Sequence, residues 1–89
     1  MSKFNIKSKY KIGDYVKFTD DMIDLVAVIT KVEWDFLRSR EIFYFNPIKS
    51  KVAGTDNEIG MHERRFDNNS PMYHQAIKIS KSEALIEAL

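Results

Sequence analysis

Leu25-Val26-Ala27-Val28-Ile29-Thr30-Lys31-Val32-Glu33-Trp34-Asp35 alternates in hydropathy with a period of two. The even positions, Val26, Val28, Thr30, Val32 and Trp34, are mostly apolar, and the odd ones pass from apolar Leu25, Ala27 and Ile29 to charged Lys31, Glu33 and Asp35. That period belongs to a β-strand and not to a helix. Its first half suits burial on both faces and its second half burial on one, as expected of a long, bent strand crossing a small curled sheet. Trp34 has the parity of the core face and is expected to be buried.

Working outward, Gly13-Asp14 supplies a turn, after which Val16 and Phe18 alternate with Tyr15 and Lys17 as a first strand. Residues 19–24 read as an acidic loop. Residues 36–40 are short enough for a hairpin connection, although they lack the Asn-Gly or Asp-Gly of a two-residue turn. Residues 41–45 form the partner strand, apolar on both parities and ended or turned into an edge by Asn46-Pro47, before an exposed loop over 48–57. Pairing is expected to resume at 58–61. Residues 62–66 have the spacing of one helical turn with Met61 and Phe66 facing the core. Asp67-Asn68-Asn69-Ser70-Pro71 is the strongest loop signal. The shared parity of Tyr73, Gln75, Ile77 and Ile79 predicts a last strand. Ser80 and Glu83 have capping-box spacing ahead of a terminal helix whose Leu85, Ile86 and Leu89 stripe is expected to pack.

Eighty-nine residues make one domain, and at this size only about 60–65% of the unfolded chain's surface is buried on folding. An apolar share of 44%, with three Gly and two Pro, belongs to a globular chain and not to a disordered one. No run of eighteen apolar residues and no leader-like start is visible, so a cytoplasmic protein without membrane partners is expected. The absence of cysteine excludes disulfides, thiol catalysis and Cys-type zinc or iron–sulfur sites. Net charge is +1, but unevenly spread: residues 1–19 carry five lysines against Asp14, and residues 20–37 five acids against Lys31. Lys3, Lys7, Lys9 and Lys11, with Phe4 and Ile6 between them, make residues 1–10 a basic arm or an edge strand whose lysines discourage pairing.

The succession Ile12-Gly13-Asp14-Tyr15-Val16-Lys17-Phe18, Ala27-Val28-Ile29-Thr30-Lys31-Val32, Phe43-Tyr44-Phe45 and Ile59-Gly60-Met61-His62-Glu63-Arg64-Arg65-Phe66 resembles the small SH3-like barrels of bacteria and phages. KOW-type barrels of transcription and translation proteins are relatives of these, with a glycine at the start of the long strand where Asp24 or Leu25 stands here. The resemblance covers roughly residues 11–67; together with the strand and helix signals that follow, the expectation is a mainly β protein, a bent antiparallel SH3-like barrel of about five strands over residues 11–79, followed by a C-terminal helix over 80–89. The resemblance implies a fold and not a site.

His62 and His74 lack metal-ligand spacing, and the Asp20-Asp21-Asp24 group lacks the ligand set of a calcium loop. No phosphate loop or nucleophile motif is present, so neither an enzyme nor a cofactor is expected. The leading expectation is a module that binds a protein partner, with Phe36 and Leu37 as an apolar anchor and Arg38, Arg40, Arg64 and Arg65 as its charged rim. A small phage or bacterial accessory protein fits this reading, and the terminal helix leaves room for a homodimer. The alternative is a nucleic-acid-binding face combining those arginines with Lys17, Lys31, Lys49, Lys51 and Tyr44.

Overall fold

The computed structural model describes residues 8–89. The part of the basic arm formed by residues 1–7 lies outside the described residues. The elements are β1 (Tyr15–Thr19), β2 (Ile23–Asp35), β3 (Arg40–Val52), β4 (Arg64–Asp67), α1 (Pro71–Gln75), β5 (Ile77–Ile79) and α2 (Lys81–Glu87). The strands form one sheet in the order β4-β3-β2-β1-β5, all neighbours antiparallel. The chain is therefore mainly β. The expected barrel is instead an open sheet with β4 and β5 at its two edges, because each of these short strands pairs only with its inner neighbour.

The centre of the sheet is the long β2–β3 hairpin, which is interrupted by two register shifts. Leu25, Ala27 and Ile29 point into the core, opposite Ser50, Pro47 and Phe45. Thr30 is an extra residue between the pairs Ile29↔Phe45 and Lys31↔Tyr44, so the core-facing parity passes to Val32 opposite Phe43. A bulge of this kind bends the strand and re-aims every side chain beyond it. Val26, on the opposite face, is fully buried where α2 lies across β1, β2 and β3.

The core is aromatic. Phe43 stacks on Phe66 at 5.2 Å between ring centroids, and Tyr10 stands edge-on to Phe43, Phe66 and Tyr73 at 5.4, 5.9 and 5.9 Å. Such packing combines large buried apolar area with favourable quadrupole geometry. Tyr10, the last residue of the expected arm, is thus a centre of the core and fully buried.

Several local expectations are corrected. β3 runs through Pro47 to Val52, where residues 48–57 were expected to be loop. Pro47 is tolerated beside the second register shift, beyond the last residue of β3 that β4 pairs. Residues 58–61 make only one bridge, Lys51↔Glu58, before Gly60 turns the chain at φ +57°. The expected helical turn at 62–66 is replaced by strand β4, which takes the free edge of β3 and stacks Phe66 on Phe43; Met61 is exposed. The expected long last strand is a helix followed by three strand residues. Ser70 Oγ accepts from Met72 N and Pro71 pre-sets the first helical φ, so α1 forms before β5 begins.

At α2, Ser80 Oγ accepts from Glu83 N, and Ser80 N donates back to the Glu83 carboxylate. The helix buries Ala84, whereas Leu85, Ile86 and Leu89 face outward, contrary to the expected packing. Ion pairs hold α2 to the sheet instead: Lys17 Nζ lies 2.6 Å from Glu87 Oε2, and Lys49 bridges Glu87 and Asp24.

Candidate interaction surface at the hairpin tip

β2 and β3 close through Phe36-Leu37-Arg38-Ser39, with Asp35 opposite Arg40. Asp35 Oδ1 accepts from Leu37 N at 3.1 Å and from Arg38 N at 3.3 Å, and Ser39 takes the left-handed conformation at φ 50°. The aspartate thereby does locally what Asn-Gly does in shorter hairpins, fixing the turn through its own side chain. Phe36 and Leu37 are 84% and 96% exposed on this fixed turn. Trp34 sits behind them, its ring 6.2 Å from Phe36 in an edge-on arrangement. Its parity does face it to the core side, as Val32 does, but it lies opposite Glu41, past the aromatic cluster, and stays 37% exposed.

Below the tip, the outer face of the hairpin and of β4 forms a polar groove of about 470 Å³. Alternation places Glu33 and Asp35 of β2, Arg40, Ile42 and Tyr44 of β3, and Arg65 and Asp67 of β4 along it, with Arg38 at its upper rim. Arg40 Nη1 donates to Asp67 Oδ2 at 2.7 Å, and Arg38 Nη1 lies 3.5 Å from Asp35 Oδ2. Tyr44 Oη donates to Glu33 Oε1 at 2.8 Å while Lys31 Nζ lies 3.0 Å from Glu33 Oε2. The tyrosine hydroxyl first, then Lys31, holds the Glu33 carboxyl below its ordinary pKa, and Glu33 in turn raises that of Lys31.

Of the residues expected to form the anchor and its rim, Phe36, Leu37, Arg38, Arg40 and Arg65 do converge at this end of the molecule. Arg64 does not, because neighbouring β4 residues face opposite sides of the sheet. By register the lysines of the nucleic-acid alternative share the outer side of the sheet with Tyr44, but they are spread along its length. Lys17 and Lys49 are engaged with Glu87 and Asp24 at the α2 end, Lys51 approaches Asp56, and only Lys31 and Tyr44 lie along the groove wall. The groove's three arginines are matched by Glu33, Asp35 and Asp67. Sequence reasoning overlooked Glu33, Ile42 and Asp67 as members of this surface. The alternation Arg40, Ile42, Tyr44 carries the signal, but it is read as a surface only once Arg65 and Asp67 are known to lie beside it in a strand.

Among the described residues, no three His, Asp or Glu side chains gather where a metal ion would fit. The tip is an apolar projection, its turn tied by Asp35, above a groove whose charges balance. No family model, no curated protein and no solved structure matches this chain.

Proposed function

We propose that this chain is a non-catalytic binding module, an accessory protein of a phage or bacterial cytoplasm, that engages a protein partner with the tip of its β2–β3 hairpin. In this reading the open sheet is a variant of the SH3-like barrels. The observation that carries it is the pairing of extreme exposure with fixed geometry at Phe36 and Leu37. Isolated exposed apolar residues are ordinary, but a Trp-Phe-Leu group on a turn whose backbone is already tied down incurs little ordering entropy on binding. Arg38 and Arg65, both exposed, give that anchor a cationic rim. A protein partner stands ahead of nucleic acid because the lysines a phosphate backbone needs are spread over the sheet and ion-paired.

The test is affinity capture with the wild type and the Phe36→Ser/Leu37→Ser double variant, followed by calorimetry with the purified captured protein. The expected result is a partner whose affinity falls at least about tenfold in the variant while the thermal midpoint is unchanged. Equal binding by the two proteins, or salt-sensitive binding of plain oligonucleotides by the wild type, overturns the reading.

A further inference from the structure

A second groove, of about 280 Å³, opens at the opposite end of β2, where the β1–β2 turn, β4 and α1 leave the core uncovered. Phe18, Ile23, Leu25, Phe45, Phe66 and Met72 line it, so its floor is the hydrophobic core itself. Arg64 and Arg65 are both on its lining, and it is Arg64 that lies over an apolar ring there. The guanidinium carbon lies 5.7 Å from the Phe45 ring centroid, and Gly60 packs so closely that a Cβ there would meet Arg64 Nη1 at 2.7 Å. The side chain is thus held between a ring face and a glycine backbone. Among the described residues, no carboxylate lies within ion-pairing distance of Arg64. Asp20, on the same lining, instead accepts the backbone amides of Met22 and Ile23 with Oδ1.

We infer that this groove is a binding site for a small carboxylate with an apolar body, seated on the phenylalanines with its charge on Arg64. Small-ligand sites combine an apolar lining with a few placed polar groups, and a planar guanidinium is the group suited to a carboxylate. At interior packing density the groove has room for roughly ten non-hydrogen atoms, the size of a single aromatic or short aliphatic acid. The site is separate from the hairpin tip and does not depend on the proposed partner.

The test is titration of the ¹⁵N-labelled protein with 3-phenylpropionate and, separately, with its uncharged amide. The acid is expected to move the amide signals of Phe18, Ile23, Phe66 and Met72 and to bind about tenfold more tightly than the amide. In Arg64→Gln the acid should fall to the level of the amide, with the amide's own affinity unchanged. Equal affinities in the wild type, saturation by neither compound, or shifts centred on Phe36 and Leu37 would each overturn the assignment. The acid–amide comparison stands even if the variant does not fold.

Discussion

Tyr10 Oη shares its one proton between the carbonyls of Tyr73 at 3.0 Å and Ala76 at 3.3 Å, tying the residue ahead of the first turn to the C-terminal end of α1. Its ring supports Phe43, Phe66 and Tyr73 at once. Tyr10→Ala removes a buried aromatic and should cost about 3–5 kcal/mol, whereas Tyr10→Phe keeps the ring and should cost about 1 kcal/mol. Urea unfolding followed by circular dichroism distinguishes the two. Comparable losses would mean that the hydroxyl, not the ring, organises the core. Burial raises the phenol's pKa above its ordinary 10.0. Its stabilising effect is therefore complete below that value and is lost as pH rises through the folded-state pKa, an alkaline limb that Tyr10→Phe should lack.

Asp35 rigidifies the tip that Phe36 and Leu37 present. Asp35→Ala should leave both side chains exposed yet release the amides of Leu37 and Arg38 and the contact with Arg38. The expected cost in stability is about 1–2 kcal/mol, since the largely buried carboxylate is the acceptor of two turn amides. Faster amide exchange should be confined to residues 36–39, and partner affinity should fall less than in Phe36→Ser/Leu37→Ser. If exchange spreads into β2 and β3, the turn supports the whole hairpin and not its tip alone.

The extent of the sheet was legible in sequence where alternation is strong, at β1 and along β2. It failed where a pairing partner and not periodicity decides. Residues 62–66 have helical spacing, and only the free edge of β3 and the Phe43 ring make β4 a strand there. Trp34 obeys parity but outruns the core, a matter of where Tyr10 and Phe66 stop. Tyr10 itself follows a lysine-rich run, and its burial depends on Tyr73 and Ala76, more than sixty positions away. At the candidate site, the tip was readable from Phe36-Leu37 between charged neighbours. The separation of Arg64 from Arg65 needed β4 to be known as a strand.

Glu33, Tyr44 and Lys31 form a titratable group on the groove wall. The hydrogen bond from Tyr44, with the ammonium of Lys31, lowers the folded-state pKa of Glu33. A lowered carboxylate pKa stabilises the fold above its unfolded value, and that contribution vanishes as pH falls through the folded value. Tyr44→Phe should therefore lower the thermal midpoint at neutral pH, and the gap from wild type should close in acid, below the ordinary carboxylate range. A gap that stays constant from neutral to strongly acidic pH would assign the effect of Tyr44 to packing alone.

Gly60 stands just ahead of β4 in a left-handed conformation and packs against Arg64. Its φ of +57° is left-handed, and a Cβ would also meet Arg64 Nη1 at 2.7 Å and Cζ at 3.3 Å. The conformational penalty for alanine in that region is about 1 kcal/mol, and the clash falls on a flexible side chain that can swing away. Gly60→Ala should thus lose about 1–2 kcal/mol in urea unfolding and also displace the guanidinium from the Phe45 ring. The second effect has its own readout: the acid–amide preference of the apolar groove should shrink in Gly60→Ala although Arg64 is still present. Destabilisation with the preference intact would show that Arg64 reaches its carboxylate without the support of Gly60, leaving the glycine a purely conformational role.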